Sequence, residues 1–157
     1  MIAPMPADHR ACPCGSTLPY ARCCGRWHAG AERLRAPDAE VLMRSRYSAY
    51  VLGLTDYLRD TWHPRTRPPT IAPGEPGLKW LGLEVRRHER TDADHACVEF
   101  VARSRLHGRA HRLHETSRFE RDADGRWLYV DGDLHRSAAP DALRRIPAAP
   151  PATSVDG

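Results

Sequence analysis

Between Asp38 and Val51 apolar residues recur at three- and four-residue steps: Leu42 and Met43, Tyr47, Ala49 and Tyr50. That spacing lays them along one stripe of a helix. Pro37-Asp38 supplies the start, with Asp38 as the capping residue and Glu40 in the first turn, and Gly53 supplies the end. Thr55 then reads as the cap of a second, short helix running from Asp56 to about Trp62 and stopped by Pro64. Residues 64–77 contain five prolines and two glycines, which is the composition of a loop. From Lys79 the pattern changes to strands. Segments 79–88, 95–107, 110–122 and 126–134 are rich in β-branched and aromatic residues. Turns fall at Thr91–Asp94, around Gly108, and at Asp122–Gly125.

Consecutive strands joined by short turns form an antiparallel meander, and two preceding helices pack on one face of it. The fold class is therefore α+β: a curved antiparallel sheet with helices on one face and a concave interior. From Ser137 the chain is rich in Ala and Pro and reads as a disordered tail. The expected organisation is a small module at 1–36, an α+β domain at 37–136 and the tail at 137–157.

Alternation along the strands decides what faces the interior. Leu113, Glu115, Ser117 and Phe119 share one face, and His114, Thr116 and Arg118 share the other. Leu113 and Phe119 mark the first set as inward, which places Glu115 in the interior and separates it from His114. In the strand before it, Val98, Phe100 and Ala102 alternate with Cys97, Glu99, Val101 and Arg103, and both sets carry apolar groups. The inward face there stays open.

The first 36 residues have almost no apolar pattern, so something other than a core must fold them. Cys12-Pro13-Cys14 and Cys23-Cys24 place four thiols in a window of 13 residues. Adjacent cysteines, or cysteines one residue apart, close only strained disulfide rings. A tetrahedral metal asks only that four sulfurs surround one centre, and its binding supplies folding free energy. Gly15 and Gly25 follow the two pairs, where a positive φ would turn the chain back toward the thiolates. His28, one helical turn past Cys24, competes with Cys24 for the fourth position, and Cys24 is favoured. Four thiolates favour structural Zn2+ over iron. Loss of the metal is expected to unfold roughly the first 30 residues and to leave the rest folded.

Charge adds little. The 157 residues carry 24 basic and 20 acidic side chains, a net charge of +4, without a polybasic tract. No sequence-specific DNA binding is expected from such a mixed surface. No apolar run approaches the length of a membrane span, and the first ten residues lack the pattern of a secretory signal. A cytoplasmic setting, where clustered thiols stay reduced, is the expectation.

The run CPCGSTLPYARCC resembles the SEC-C motif, a small zinc module also found at the end of some preprotein translocase ATPases. In that motif the ligands are three cysteines and a Cys or His, which implies Cys12, Cys14, Cys23 and Cys24 here. Thr17 stands where the motif usually has a glycine. The blocks CCGRWHAG, LMRSRYSAYV, TWHPRTRP, VEFVARSR, HETSRF and GRWLYVDGD extend the resemblance to the YchJ-like (UPF0225) family over roughly residues 11–135. The resemblance implies a zinc module followed by an NTF2-like α+β domain, without a settled activity.

Arg44, Tyr47, Trp62, His63, Glu115 and Trp127 are the pocket candidates in the interior, and Tyr50 and Trp80 are further aromatics there. Glu99 and Asp131 complete the acid–base candidates. The plainer reading is that Arg44 or Arg46 holds a buried Glu115 as a structural ion pair and that the aromatics fill a core. Cys97 reads as a small core residue. His107, His111 and His114 lie near one turn, where His107 and His111 could meet, although surface histidines explain them better. No phosphate loop or nucleophile elbow is present. Three function classes follow. The first, which is favoured, is a binding or adaptor protein whose module contacts a protein or ribosome partner through Arg22, Arg26, Arg33 and Arg35. The second is an enzyme or binding protein for a small ligand in the cavity, and the third a purely structural metal protein.

Overall fold

The computed structural model describes residues 10–72 and 74–135, so the expected tail from Ser137 lies outside the described residues. A 3-10 turn at Tyr20–Arg22 and a one-turn helix α1 (Gly25–His28) precede helices α2 (Ala39–Leu52) and α3 (Thr55–Asp60). Strands β1 (Lys79–Asp92), β2 (His95–Leu106), β3 (Arg109–Arg121) and β4 (Trp127–Leu134) follow. They form one antiparallel sheet in the order β1-β2-β3-β4. This is the α+β meander that the strand pattern predicts.

Asp38 caps α2 as expected: its side chain accepts from the Val41 amide at 2.8 Å. Gly53 ends the helix in the left-handed region, with φ 75°, and its amide bonds to the Ala49 carbonyl. Thr55 is not a cap. It occupies the first turn of α3, behind Leu54, which offers no capping side chain. Helix α3 also stops short of Trp62, because residues 61–63 leave it to pair with β4. The Tyr129 amide donates to Thr61 O and the His63 amide to Tyr129 O, both at 2.8 Å.

Strand β1 runs four residues further than its β-branched content suggests, which shrinks the first turn to Ala93-Asp94. At the second turn His107 and Gly108 both have positive φ (52° and 76°). That two-residue turn matches the twist of a hairpin. Register shifts at Trp80/Gly82, Val85/Arg87, Arg90/Asp92 and Arg118/Phe119 are bulges, which bend and twist the sheet.

The inward face of β2 is Ala96, Val98, Phe100, Ala102, Ser104 and Leu106, all buried. Cys97 lies on the outer face and is half-buried, so it is not a core residue. On β3, Leu113, Glu115, Ser117 and Phe119 are buried inward. Helix α2 packs against β1, β2 and β4. It is buried well beyond its apolar stripe: Ser45 and Ser48 are covered by residues 10–36, and Arg46 by the end of α3 and by Tyr129 of β4.

One glycine is required by this packing. A Cβ on Gly132, in the middle of β4, would lie 2.1 Å from Glu115 Oε2 and 2.8 Å from the carboxyl carbon. The Glu115 side chain therefore occupies the space that any other residue at 132 would need. Gly132→Ala is expected to lower stability by roughly 2 kcal/mol or more, as overpacking does. The same change in a Glu115→Ala background should be well tolerated, and urea denaturation of the four variants checks it.

Candidate metal centre and the buried carboxyl group

An isolated bridge between Ala11 and Pro19 closes the chain segment that carries the first cysteine pair. Within it the Gly15 amide bonds back to Cys12 O at 3.2 Å, with Gly15 at φ 85°. Cys23 and Cys24 follow the 3-10 turn, and the Cys24 carbonyl starts α1 by accepting from Trp27 and His28. Gly25 is helical rather than at positive φ. It is needed for close approach instead, since a Cβ there would sit 2.8 Å from the Tyr20 carbonyl oxygen. Thr17 has φ 73°, a conformation that strains a β-branched residue and that explains the glycine usual in the motif.

All four sulfurs lie within 4.8 Å of one another. Cys14 and Cys23 are 3.6 Å apart. Metal–sulfur bonds of about 2.3 Å in a tetrahedron give edges of roughly 3.8 Å, so the set fits one zinc-sized ion. Electrostatics point the same way. Hydrogen bonds from Cys12 and Cys24 hold the Cys14 thiol below its ordinary range, whereas contact with Cys12 and Cys14 raises Cys24. Burial pushes Cys23 up to about 11. Neighbouring side chains thus favour the Cys14 thiolate while burial and that charge oppose ionisation of Cys23 and Cys24, so full ionisation of the set requires a cation.

His28 is committed elsewhere. Its Nε2 donates to the Ser45 carbonyl at 2.8 Å, and its Nδ1 accepts from Tyr20 OH at 2.6 Å. Burial lowers its pKa, which keeps the ring neutral in this arrangement. Cys24, not His28, is the group in the cluster. The cluster also docks on α2: Cys12 Sγ lies 3.6 Å from Ser48 Oγ, and Arg44 donates to the Cys14 carbonyl at 3.1 Å. Cys12, Cys14 and Cys24 belong to the same apolar cluster as Leu42, Met43 and Tyr47.

Glu115 is wholly buried. Its Oε2 accepts from Ser117 Oγ at 2.6 Å and from Tyr129 OH at 3.4 Å. Among the described residues Oε1 has no hydrogen-bond partner. The expected ion pair with Arg44 or Arg46 is not formed. Arg44 is spent on Glu40 and the Cys14 carbonyl. Arg46 donates to Leu58 O at 3.0 Å and Thr61 Oγ1 at 2.7 Å, closing the end of α3. Burial therefore pushes the Glu115 pKa up to about 8, and the group is a neutral acid at neutral pH.

A cavity of about 40 Å³ adjoins this carboxyl group, lined by Arg46, Tyr47, Tyr50, Trp80, Phe119 and Glu115 among others. Of the pocket candidates, Tyr47 and Glu115 meet there. Arg44 lies at the cysteine cluster. Trp62 packs edge-on against Tyr129, and His63 sits 3.5 Å from Glu120. The guanidinium groups of Arg90 and Arg121 lie 5.4 and 5.5 Å from the Trp127 ring centre. Arg46, weighed only as an ion partner, and Gly132 are the residues that strand and helix periodicity did not single out. A glycine inside the alternation of β4 was the available signal for the second.

The remaining acid–base candidates are on the outer face. Asp131 pairs with Arg118 at 2.6 Å, and Glu99 with His114 at 2.7 Å. His135 joins Glu99 and His114 in a second group of ligand-type atoms. There the two imidazoles stack with centroids 3.9 Å apart and planes 8° from parallel, and His135 Nε2 contacts Thr116 Oγ1. Rings stacked in this way keep their lone pairs in parallel planes, so they do not converge on one ion. His107 forms the turn and His111 lies opposite Ser104, so these two do not meet.

The fold and the cysteine cluster define an NTF2-like α+β domain that carries a SEC-C module. The SEC-C motif matches residues 11–26, and the family described as "YchJ, middle NTF2-like domain" matches residues 38–132. The chain belongs to the UPF0225 family. A UPF0225 protein of Bordetella parapertussis is 58% identical over 129 residues, covering 82% of this chain and 96% of the relative. One from Methylibium petroleiphilum is 61% identical over 132 residues, covering 84% and 90%. A crystal structure of a SEC-C motif containing protein from Psychrobacter arcticus superposes with a TM-score of 0.68 at 29% identity, over 85% of this chain and 88% of that one.

Because the cysteines share a core with α2, metal loss should reach beyond the first 30 residues. Cys23→Ser is expected to lose its metal and to destabilise the whole domain by about 3 kcal/mol or more. Metal analysis with thermal unfolding of the intact chain checks this, and a wild-type melting temperature after metal loss would show the two parts to be independent.

Glu115 makes a second prediction. Its folded pKa lies above the ordinary 4.5, so the folded state keeps a proton that the unfolded chain has released. The stability this group contributes is full below about pH 4.5 and falls as the pH rises to about 8, then levels off. Glu115→Gln should flatten that decline, by an amount on the order of a few kcal/mol. Urea denaturation at several pH values reads the slope; an unchanged slope would mean that the carboxyl group is solvated.

Proposed function

We propose that this protein is an adaptor: a binding protein whose SEC-C module is held together by structural Zn2+ and contacts an acidic protein or ribosome partner in the cytoplasm. The observation that supports this reading is the closed set of four cysteine sulfurs packed against α2, three of them buried and that of Cys23 half-buried. Four protein thiolates leave no position for water or substrate, so the ion organises a surface rather than a reaction. The surface thus shaped exposes Leu18, at 49% of its full area, with Arg22 and Arg35. Arg26 is neutralised by Glu32, and Arg33 by Asp60. The free positive charge is therefore smaller than the arginine count suggests, and contact would combine a modest charge attraction with an apolar anchor. Among the described residues no helix is long and apolar enough to cross a membrane.

The test is a native pull-down from cell extract at two salt concentrations, comparing the metal-loaded chain with a Cys23→Ser, Cys24→Ser variant and with Leu18→Asp. A protein or ribosomal partner retained by the wild type and lost in both variants is the expected outcome. Equal retention by Leu18→Asp would exclude this face of the module.

A second reading, a small-ligand protein, is favoured by one observation. Glu115, whose Oε1 has no hydrogen-bond partner among the described residues, lines a cavity.

A further inference from the structure

Two buried polar groups of the interior have hydrogen-bonding capacity left over, and both line the same cavity. Arg46 is only 5% exposed. Its bonds within the chain run from Nη1 to the Leu58 carbonyl and the Thr61 hydroxyl, neither of which carries charge. The rings of Trp62 and Tyr129 flank it, with centroids 4.9 and 4.6 Å from the guanidinium carbon. A guanidinium stays charged when buried, and a buried charge calls for a counter-charge. The acid on the cavity wall does not supply it in full, because burial favours the neutral form of Glu115. Glu115 instead keeps one carboxyl oxygen without a partner.

Glu115 is also too well accommodated to be a packing accident. Ser117 and Tyr129 hold one oxygen, and β4 gives up a side chain at position 132 to make room for it. The chain thereby aims the other oxygen away from both donors. Around these two polar groups the wall is aromatic: Tyr47, Trp80 and Phe119. The cavity's 40 Å³ is room for about three water-sized groups.

We propose that this cavity binds a short-chain carboxylate, whose carboxylate group lies between Arg46 and Glu115 and accepts from both, with its hydrocarbon part against the aromatic wall. The anion supplies the counter-charge that Arg46 lacks and occupies the open side of Glu115. Charge-assisted hydrogen bonds of this kind are the strong ones, and burial strengthens them further. The neutral acid donates to the ligand and repels it once ionised. Groups facing Glu115 are Arg46, Tyr47 and Tyr50 from α2, Tyr129 from β4 and the apolar Phe100 from β2, while the charge of Asp133 acts on it from the outer face of β4. The three tyrosines are raised by burial and Asp133 is lowered by Arg118, so Glu115 is the group of this set that titrates near neutral pH.

The experiment uses the full metal-loaded chain and follows backbone amide resonances on adding acetate, propionate, butyrate or propionamide. Saturable shifts at Ala102, Leu113 and Ser117 are expected for at least one carboxylate, with propionamide at least about tenfold weaker. Arg46→Met should abolish them, with metal content and amide dispersion confirming the fold. If that variant does not fold, Glu115→Gln decides, since it keeps both shape and donor. It should bind within about threefold of wild type near pH 7 and equally well near pH 9, where wild type has weakened about tenfold. No saturable shift with any carboxylate up to ~50 mM overturns the proposal, as does equal binding of propionamide. None of these readouts involves a macromolecular partner, so they stand or fall apart from the adaptor reading.

Discussion

Helix α2 must satisfy two different neighbours at once, and most of the structure follows from how it does so. Eight of its 14 residues are buried, and three of these are Ser45, Arg46 and Ser48. A helix covered on a polar side is stable only if each polar group finds a partner. Ser45 Oγ donates to Leu42 O and meets Tyr57 OH at 2.7 Å, while the Ser45 carbonyl receives His28. Ser48 faces Cys12, and Arg46 closes the end of α3. The serines are small enough to bring the N-terminal module close, and their polarity fits thiols and an imidazole better than Leu or Val would.

The cysteine cluster is consequently both a local staple and part of the main core. Its sulfurs are soft, compact and apolar enough to pack with Leu42 and Met43. Their charges are not, and four thiolates in that setting are tolerable only around a cation. The closed cysteine cluster and a buried α2 therefore depend on each other. The basic surface outside this contact is secondary, since much of it is internally paired.

Much of this was legible in the sequence for specific reasons. The apolar steps from Leu42 to Tyr50 and the cap at Asp38 located α2, because helix periodicity and capping act locally. The alternation around Leu113 and Phe119 placed Glu115 inside, and the cysteine spacing located the cluster of four sulfurs that could hold a metal. What stayed hidden depends on partners distant in the chain. Thr55 looked like a cap because nothing local shows that residues 61–63 leave α3 to pair with β4. Val98 and Cys97 could not be assigned to faces because β2 carries apolar groups on both. His28 stayed a rival to the favoured Cys24 until Ser45 and Tyr20 were seen to use both its nitrogens. The partner of Arg46 was equally invisible, since it is set by where α3 ends.

Three departures from good packing converge on one place, and that convergence is harder to explain than any one of them. A buried acid without an ion partner is less stable there than a leucine or glutamine of similar size. A glycine inside a strand gives up both side-chain packing and backbone entropy. A buried arginine bonded only to neutral oxygens leaves its charge uncompensated. If Glu115 served structure alone, Arg46 would be its natural partner, and the fold instead turns Arg46 toward Leu58 and Thr61. If Gly132 served the strand alone, any β-former would serve better. Together they produce a positive, hydrogen-bonding cavity with an aromatic wall at the concave face of the sheet. Local costs that accumulate in this way are the mark of a site rather than of a core.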